Sequence, residues 1–268
     1  MPIPPFLRRW IELSRHLGFD PVELRRTLRG LPRFVSDYRA LRRQYRTSGH
    51  EFPFGSITPH FADRLASSGI ARGHYFHQDL LVASWIYADR PTKHVDIGSR
   101  IDGFVAHVAV FRAIEIFDLR PQAGAVHNMH FVQCDFTAHP FPLRDYADSA
   151  SCLHALEHFG LGRYGDAPDY YGYRRGWKNL HQLLKPGGRL YFSVPMGPNR
   201  IEFNSQRVFS ADTIRQIIDA HYEVERFAYV NDNGDLVADA VWNDPSASTN
   251  FGCRNGCAIF SLIKRPAD

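Results

Sequence analysis

From about residue 73 the chain alternates short apolar runs with stretches of helical spacing, and this alternation constrains its fold more than any other feature. His94-Val95-Asp96-Ile97 is closed by Gly98, and Ile114–Asp118 is stopped by Pro121. Phe131–Asp135, Ser149–Leu153, Arg189–Val194, residues 222–230 and Ala258–Lys264 bring the predicted strands to seven. Helices are predicted from about Leu80 to the residues before Pro91, over 103–111, 170–184 and 211–220, and Lys185-Pro186-Gly187-Gly188 reads as a turn. Strands that alternate with helices form a mostly parallel sheet covered on both faces. The expected fold is α/β: a doubly wound, mostly parallel seven-stranded sheet. At 268 residues the chain is long enough to build such a domain, plus an appendage, without a disulfide or zinc staple.

The appendage precedes that pattern. Residues 1–47 carry eleven arginines, no lysine and four acids, a surplus of seven positive charges, which leaves the remainder of this +4 chain mildly acidic. Asp20-Pro21-Val22-Glu23 supplies an N-cap, a proline at the first helical position and an acid in the first turn. Phe34, Tyr38, Leu41 and Tyr45 then form an apolar stripe, with Pro32 expected to separate two helices. Residues 47–72, punctuated by glycine and proline, read as loop and linker. The division expected is a basic helical arm and linker over 1–72 and a catalytic-type domain over 73–268. The arm either meets anionic partners or is a solvated face packed through its apolar side.

Composition excludes several classes. With 44% hydrophobic and 22% charged residues, the chain is neither disordered nor fibrous. No apolar run approaches the ~20 residues of a membrane helix. The opening MPIPPFLRRW has no apolar core of secretory type, and four cysteines without framework spacing fit a reducing compartment, so a cytoplasmic location is expected.

In doubly wound sheets ligands bind beyond the carboxyl ends of the strands. Here the first strand runs into Asp96-Ile97-Gly98-Ser99-Arg100-Ile101-Asp102-Gly103, where glycine lets backbone approach a ligand closely. Asp118 ends the second strand, where an acid accepts from ribose hydroxyls, and Asp135 ends the third, within reach of an adenine amino group. Acids at three successive strand ends point to an adenosine-bearing cofactor held by Asp96, Gly98, Ser99, Arg100, Asp118 and Asp135. The full G-x-G-x-x-G of dinucleotide-binding proteins is absent.

This constellation resembles the class I S-adenosylmethionine-dependent methyltransferases, and the resemblance implies their Rossmann-like fold over about residues 75–230, with Ala258–Lys264 as the antiparallel last strand. Lys185-Pro186-Gly187-Gly188 and Ser193-Val194-Pro195 match that order. The strings GHYFHQDL (73–80), HVDIGSRIDGF (94–104), HALEHFGLGRYGD (154–166) and FNSQRVFS (203–210) also resemble an uncharacterised bacterial family, domain-of-unknown-function family 268. One departure stands out: Arg100 occupies the position of the second motif glycine, where it either crowds the methionine part of the cofactor or pairs with its carboxylate.

His154-Ala155-Leu156-Glu157-His158 matches the inverted zinc-protease string H-x-x-E-H, but its place after a strand in a methyltransferase-like order argues against a protease. It resembles the E-x-x-E-H string of ubiquinone-biosynthesis O-methyltransferases, which implies a divalent cation, with His154 replacing the first acid. If residues 154–158 open a helix, His154, Glu157 and His158 share one face. They then hold a cation that acidifies a substrate hydroxyl, or His158 acts directly as base, or the acid and histidine cap the helix.

His74, Tyr75, His77, Gln78 and Asp79 precede the first strand, where methyltransferases often place a segment covering the cofactor; the alternatives are that Asp79 caps a helix and His77 packs in the core. The glycine-rich insert 160–166 offers Arg163 and Tyr164 to a substrate, and Asn204 and Arg207 line a second candidate loop. Arg163 with Arg207 suits a phosphate or carboxylate. Cys253 and Cys257, with Gly252 and Gly256, read as a turn, since two thiols do not make a zinc site.

Together these readings give a cytoplasmic methyltransferase using S-adenosylmethionine on a hydroxyl of a small-molecule or glycan acceptor, with His158, Glu157 and His154 as catalytic candidates. The family resemblance points to surface-polysaccharide biosynthesis. Neither specific nucleic-acid binding nor a membrane span is expected, although the arm suits peripheral anionic contact. A non-catalytic binding protein for an anionic ligand or partner is the alternative.

Overall fold

A computed structural model describes residues 10, 11, 13–15, 17–61, 63–122 and 124–266. The opening residues 1–9, read above for a leader, and Glu12 of the arm lie outside the described residues. The chain divides into two units, Met1–Ile70 and Ala71–Asp268.

The first unit is built on helix α1, Pro21–Tyr45. Asp20 caps it, accepting from Val22 N at 2.8 Å and Glu23 N at 3.3 Å. Pro32 does not divide it: the helix runs through as one. The helix has no buried residue, so water can solvate a backbone carbonyl that the missing proline N–H leaves unpaired. The segment read as linker folds back onto the aromatic stripe: Phe61 packs edge-on to Phe34 at 5.3 Å and Phe54 to Tyr45 at 5.2 Å. Gly30 admits that return, because a Cβ there would lie 2.3 Å from the Phe61 carbonyl oxygen.

In the second unit, α2 (His74–Asp89) precedes β1 (His94–Ile97). A tight turn over Ile101–Val105 leads into the short α3, Ala106–Ala109, then β2 (Ile114–Asp118), β3 (Met129–Gln133) and β4 (Ala147–Leu153). After α4 (Gly172–Leu183) come β5 (Leu184–Met196), the hairpin β6 (Arg200–Glu202) and β7 (Gln206–Val208), and α5 (Ala211–Ile218). The chain ends with β8 (Tyr222–Val230), β9 (Leu236–Val237) and β10 (Gly256–Lys264).

The sheet order is β3-β2-β1-β4-β5-β10-β8-β9. The first five strands of that order are parallel, and β10 runs antiparallel to both β5 and β8. The sheet therefore has eight strands rather than seven, the addition being the two-residue β9 on the outer edge. β3 starts two residues earlier than its apolar run suggests, which leaves Asp135 in the loop beyond it.

Two apolar layers flank the sheet, as alternation along the strands requires. Val82 and Ile86 of α2 and Val108 of α3 pack with Ile114, Ile116, Tyr191 and Ile259 on one face. On the other, Leu180 and Leu183 of α4 and Ile214 and Ile218 of α5 pack with Val95, Phe192 and Phe260. Each such side chain, fully buried, contributes about 1.5–3 kcal/mol. Asp89 ties α2 to the sheet, accepting from Arg226 at 2.7 and 3.0 Å and from Tyr191 Oη at 2.6 Å. No helix among the described residues is long and apolar enough to cross a membrane.

Candidate functional site

The strand order reverses between β1 and β4, and the loops there enclose the site. Gly98 has φ +76°, a conformation that favours glycine, and its N–H donates to Phe117 O at 2.8 Å. A Cβ on Gly98 would lie 3.0 Å from that of Ala155, so this turn passes close to the one that follows β4.

Beneath the turn lies a buried polar chain. Ser149 Oγ is 2.8 Å from His94 Nδ1, His94 Nε2 is 3.3 Å from Ser151 Oγ, and Ser151 Oγ donates to Asp96 at 2.5 Å. Asp96 also accepts from Ser99 N at 3.1 Å and Ser99 Oγ at 2.8 Å. Burial pushes Asp96 up to about 6 and His94 down to about 3. Asp96 is fully buried and forms no part of the cavity wall, so it props the turn from behind instead of touching a cofactor.

Arg100 lies at the exposed edge of the cleft. Its guanidinium meets Asp102 through two bonds of 2.9 and 2.6 Å, with the side chain 75% exposed. Gly103, at a kink inside the Ile101–Val105 turn, lets Asp79 approach: a Cβ there would lie 2.7 Å from Asp79 Oδ2. Asp79 is buried, accepts from Gln78 Nε2 at 3.0 Å and is held above its ordinary carboxylate range by burial.

These turns border a cavity of about 620 Å³, within the range of small-molecule sites. Gly98, Ser99, Arg100, Asp118 and Asp135 line it together with Tyr75, Gln78 and Asp79 of α2. Asp118 is bound by Arg120, whose Nε and Nη2 reach it at 3.0 and 2.7 Å. The same guanidinium lies 4.5 Å from the ring centre of Tyr164. Asp135 Oδ1 accepts from Thr137 N and Oγ1, both at 2.7 Å. Of the segment expected to cover the cofactor, Tyr75, Gln78 and Asp79 reach the cavity while His74 and His77 do not, and Arg120 is a wall residue for which the sequence carried no signal.

The opposite wall is not a helix. His154 sits at φ +48°, and only Leu156–His158 form a single tight turn, so the one-face helical arrangement is corrected. His154 and His158 border the cavity; Glu157 is fully buried behind them. Glu157 Oε1 lies 2.7 Å from His154 Nδ1 and 3.9 Å from His158 Nε2. His154, Glu157 and His158 do not bring one donor each within 4.8 Å of one another, so they do not form the cation site expected of them. His158 Nδ1 is 2.8 Å from Ser205 O, which assigns the proton to Nδ1 and leaves Nε2 free to accept. Burial lowers the His158 imidazole below its ordinary value, with Arg163 adding to the effect and Glu157 opposing it.

The loop 160–166 is organised by Asp166, which accepts from Gly160 N at 2.7 Å, Gly162 N at 3.2 Å and Tyr164 N at 3.2 Å. This presents Tyr164 and Arg163 to the cavity, and Arg163 Nη1 donates to Ser205 O at 2.9 Å. Arg207 is placed differently from the expected anion clamp. It is 5% exposed and donates to the carbonyls of Glu157, Phe159, Asp169 and Tyr170 at 2.7–3.2 Å, which pins the turn after β4 and the 169–170 segment to β7. Asn204 is exposed and lines no part of the cavity. Cys257 lies in β10 and not in a turn.

The order 3-2-1-4-5 of parallel strands, closed by an antiparallel strand between the fifth and the next, defines the Rossmann-like fold of class I methyltransferases. A family described as "Caenorhabditis protein of unknown function, DUF268" matches residues 113–235. Its description corrects the bacterial attribution made above, since the strings that carry the resemblance hold no information on lineage. Two of those strings, 73–80 and 94–104, fall outside the matched span. No curated protein matches the sequence.

Solved structures similar to the chain include the 1,6-didemethyltoxoflavin-N1-methyltransferase of Burkholderia thailandensis with bound 1,6-didemethyltoxoflavin and S-adenosylhomocysteine. It is 17% identical, with 92% of this chain and 91% of that one covered at a TM-score of 0.49. The N-methyltransferase NodS of Bradyrhizobium japonicum WM9 in complex with S-adenosylhomocysteine is 14% identical over 72% and 88%, at 0.48. The [4+2]-cyclase SpnF is 15% identical over 70% and 82%, also at 0.48. The fold rests on strand order and direction, not on these likenesses.

Proposed function

We propose that this chain transfers the methyl group of S-adenosylmethionine to a hydroxyl of a small or glycan-type acceptor. The observation that carries the reading is a single cavity with Gly98, Asp118 and Asp135 on one wall and His158 on another. S-adenosylmethionine, when bound, supplies an electrophilic methyl group. The residues fit it: Gly98 keeps the turn clear of side chain, Asp118 is placed for the ribose hydroxyls and Asp135 for the adenine edge. Because Arg100 is engaged with Asp102 at the rim, it does not fill the position left by the missing glycine. Arg120 must yield part of its hold on Asp118 when the ribose arrives, and Tyr164 offers its guanidinium a second resting place.

His158 Nε2 takes the hydroxyl proton, its orientation fixed by the Ser205 carbonyl. Glu157 is a positioning residue behind the histidines, and Arg163 and Tyr164 orient the acceptor. Little more is asked of the protein, since alignment of acceptor and methyl supplies most of the rate. We assign this chemistry to residues 73–268, in the cytoplasm, where the free cysteines remain reduced. The basic residues of 1–72 are assigned to peripheral contact with anionic surfaces. A place in surface-polysaccharide synthesis rests on the family resemblance alone.

Two variants test the reading. Asp118→Ala is expected to weaken S-adenosylhomocysteine binding at least ~10-fold through loss of a charge-assisted hydrogen bond. His158→Ala is expected to leave that binding unchanged while turnover falls about 10²–10⁴-fold. Unchanged affinity in the first variant, or unchanged turnover in the second, contradicts the assignment of that residue.

A further inference from the structure

We propose that His74, His154 and Cys257 form a site for a divalent transition-metal ion of the zinc class, sharing only His154 with the His154, Glu157 and His158 trio that the sequence suggested. One donor atom from each of the three lies within 4.8 Å of the other two. They come from the first residue of α2, the turn after β4 and the start of β10, so only the folded sheet brings them together. His154 and Cys257 are buried and His74 is half-buried.

A second observation points to a ligand. His154 Nε2 is buried with no hydrogen-bond partner, while its side chain is 4% exposed. A buried polar atom left unpaired costs about 1–3 kcal/mol, and a bound ion removes that cost. The far nitrogen, Nδ1, is already held by Glu157 at 2.7 Å. A carboxylate behind an imidazole fixes the ring and leaves the other nitrogen unprotonated, which is the arrangement found behind metal-bound histidines.

The donor set is the one zinc takes: two imidazole nitrogens and a thiolate. Cys257 Sγ has weak contacts with Gln78 Oε1 and Ala258 O, both at 3.8 Å, to give up. Binding releases the thiol proton to solvent. Two imidazoles beside one sulfur exceed what a simple thiolate–imidazolium pair needs, and the two rings lie 5.2 Å apart and nearly parallel. Three protein donors leave a tetrahedral ion one position for water or a substrate atom. Since His154 also borders the cleft, an ion here fastens α2 to the ends of β4 and β10 and stiffens the cleft wall. The site does not depend on the cofactor assigned above.

The test is titration of the full chain, freed of metal with a chelator and shown to be folded, with Co²⁺ and then Zn²⁺. Expected are one equivalent of cobalt, a thiolate-to-cobalt charge-transfer absorption, and displacement of both by zinc. Cys257→Ser is expected to abolish the thiolate absorption, and Cys253→Ser to leave it intact. Glu157→Gln is expected to weaken affinity about 10–100-fold. A folded wild-type chain that takes up no cobalt, or takes it up without a thiolate absorption, overturns the proposal. So does a Cys257→Ser chain with an unchanged spectrum, and a metal-free Cys257–His154 pair is then what remains.

Discussion

At the scale of single residues, the site is decided by which polar groups are kept behind the wall and which face the cavity. Asp96 and His94 alternate on one face of β1 and are satisfied by serines of the neighbouring strand. With its folded-state pKa raised from 3.8 to about 6, Asp96 favours the native state when protonated. Its contribution is therefore full below pH 4 and is lost as pH rises through about 6. Asp96→Asn removes that dependence, and its melting temperature relative to wild type should improve by about 3–6 °C between pH 4.5 and 7.5. A difference that does not change with pH contradicts a buried ionisable Asp96.

His158 gives a second pH signature. Because burial and Arg163 lower it from 6.5 against the opposing pull of Glu157, the acid limb of a turnover profile should fall below pH 6.5. The groups around it are Glu157 and His154 from the turn, and Arg163 and Tyr164 from the loop beyond. A limb above 6.5 would argue that another group takes the proton.

At the scale of elements, what was legible in the sequence follows from how local its cause is. The turn after β1 was readable because a short apolar run ending in glycine needs nothing distant to form. Asp118 was readable for the same reason. Pro32 misled because proline's cost in a helix depends on burial, and this helix buries nothing. The 154–158 string misled because His154 takes a left-handed backbone that its neighbours impose, with its N–H bonded to Ser193 O at 3.1 Å. Arg207 was beyond reach of sequence reasoning altogether: a guanidinium that binds carbonyls of two separate segments, 157–159 and 169–170, has no pattern to show before those segments meet. The 160–166 loop gives a test at this scale. Asp166→Ala removes the acceptor for three backbone N–H groups, so amide exchange there should rise and the acceptor's KM should increase about 10-fold, at about 1 kcal/mol or more of lost order. Exchange equal to that of wild type would show that the loop is ordered by something else.

At the scale of the molecule, the eight-stranded sheet brings the residues of the proposed site to one end. β1, β2 and β3 bring the glycine turn and the two acids to one wall, and the crossover to β4 brings His154 and His158 to the other. α2, packed on one face of the sheet, brings Tyr75, Gln78 and Asp79 of its N-terminal half to the cavity. Such folds host several chemistries, so the reaction is argued here from the site and not from the architecture. The central claim is that this cleft accepts an S-adenosyl cofactor despite Arg100, and isothermal calorimetry of the purified chain with S-adenosylmethionine and S-adenosylhomocysteine tests it most directly. The account predicts one site per chain with a Kd in the micromolar range, about −8 kcal/mol, for both ligands. A folded chain that releases no heat with either ligand and shows no thermal shift contradicts it.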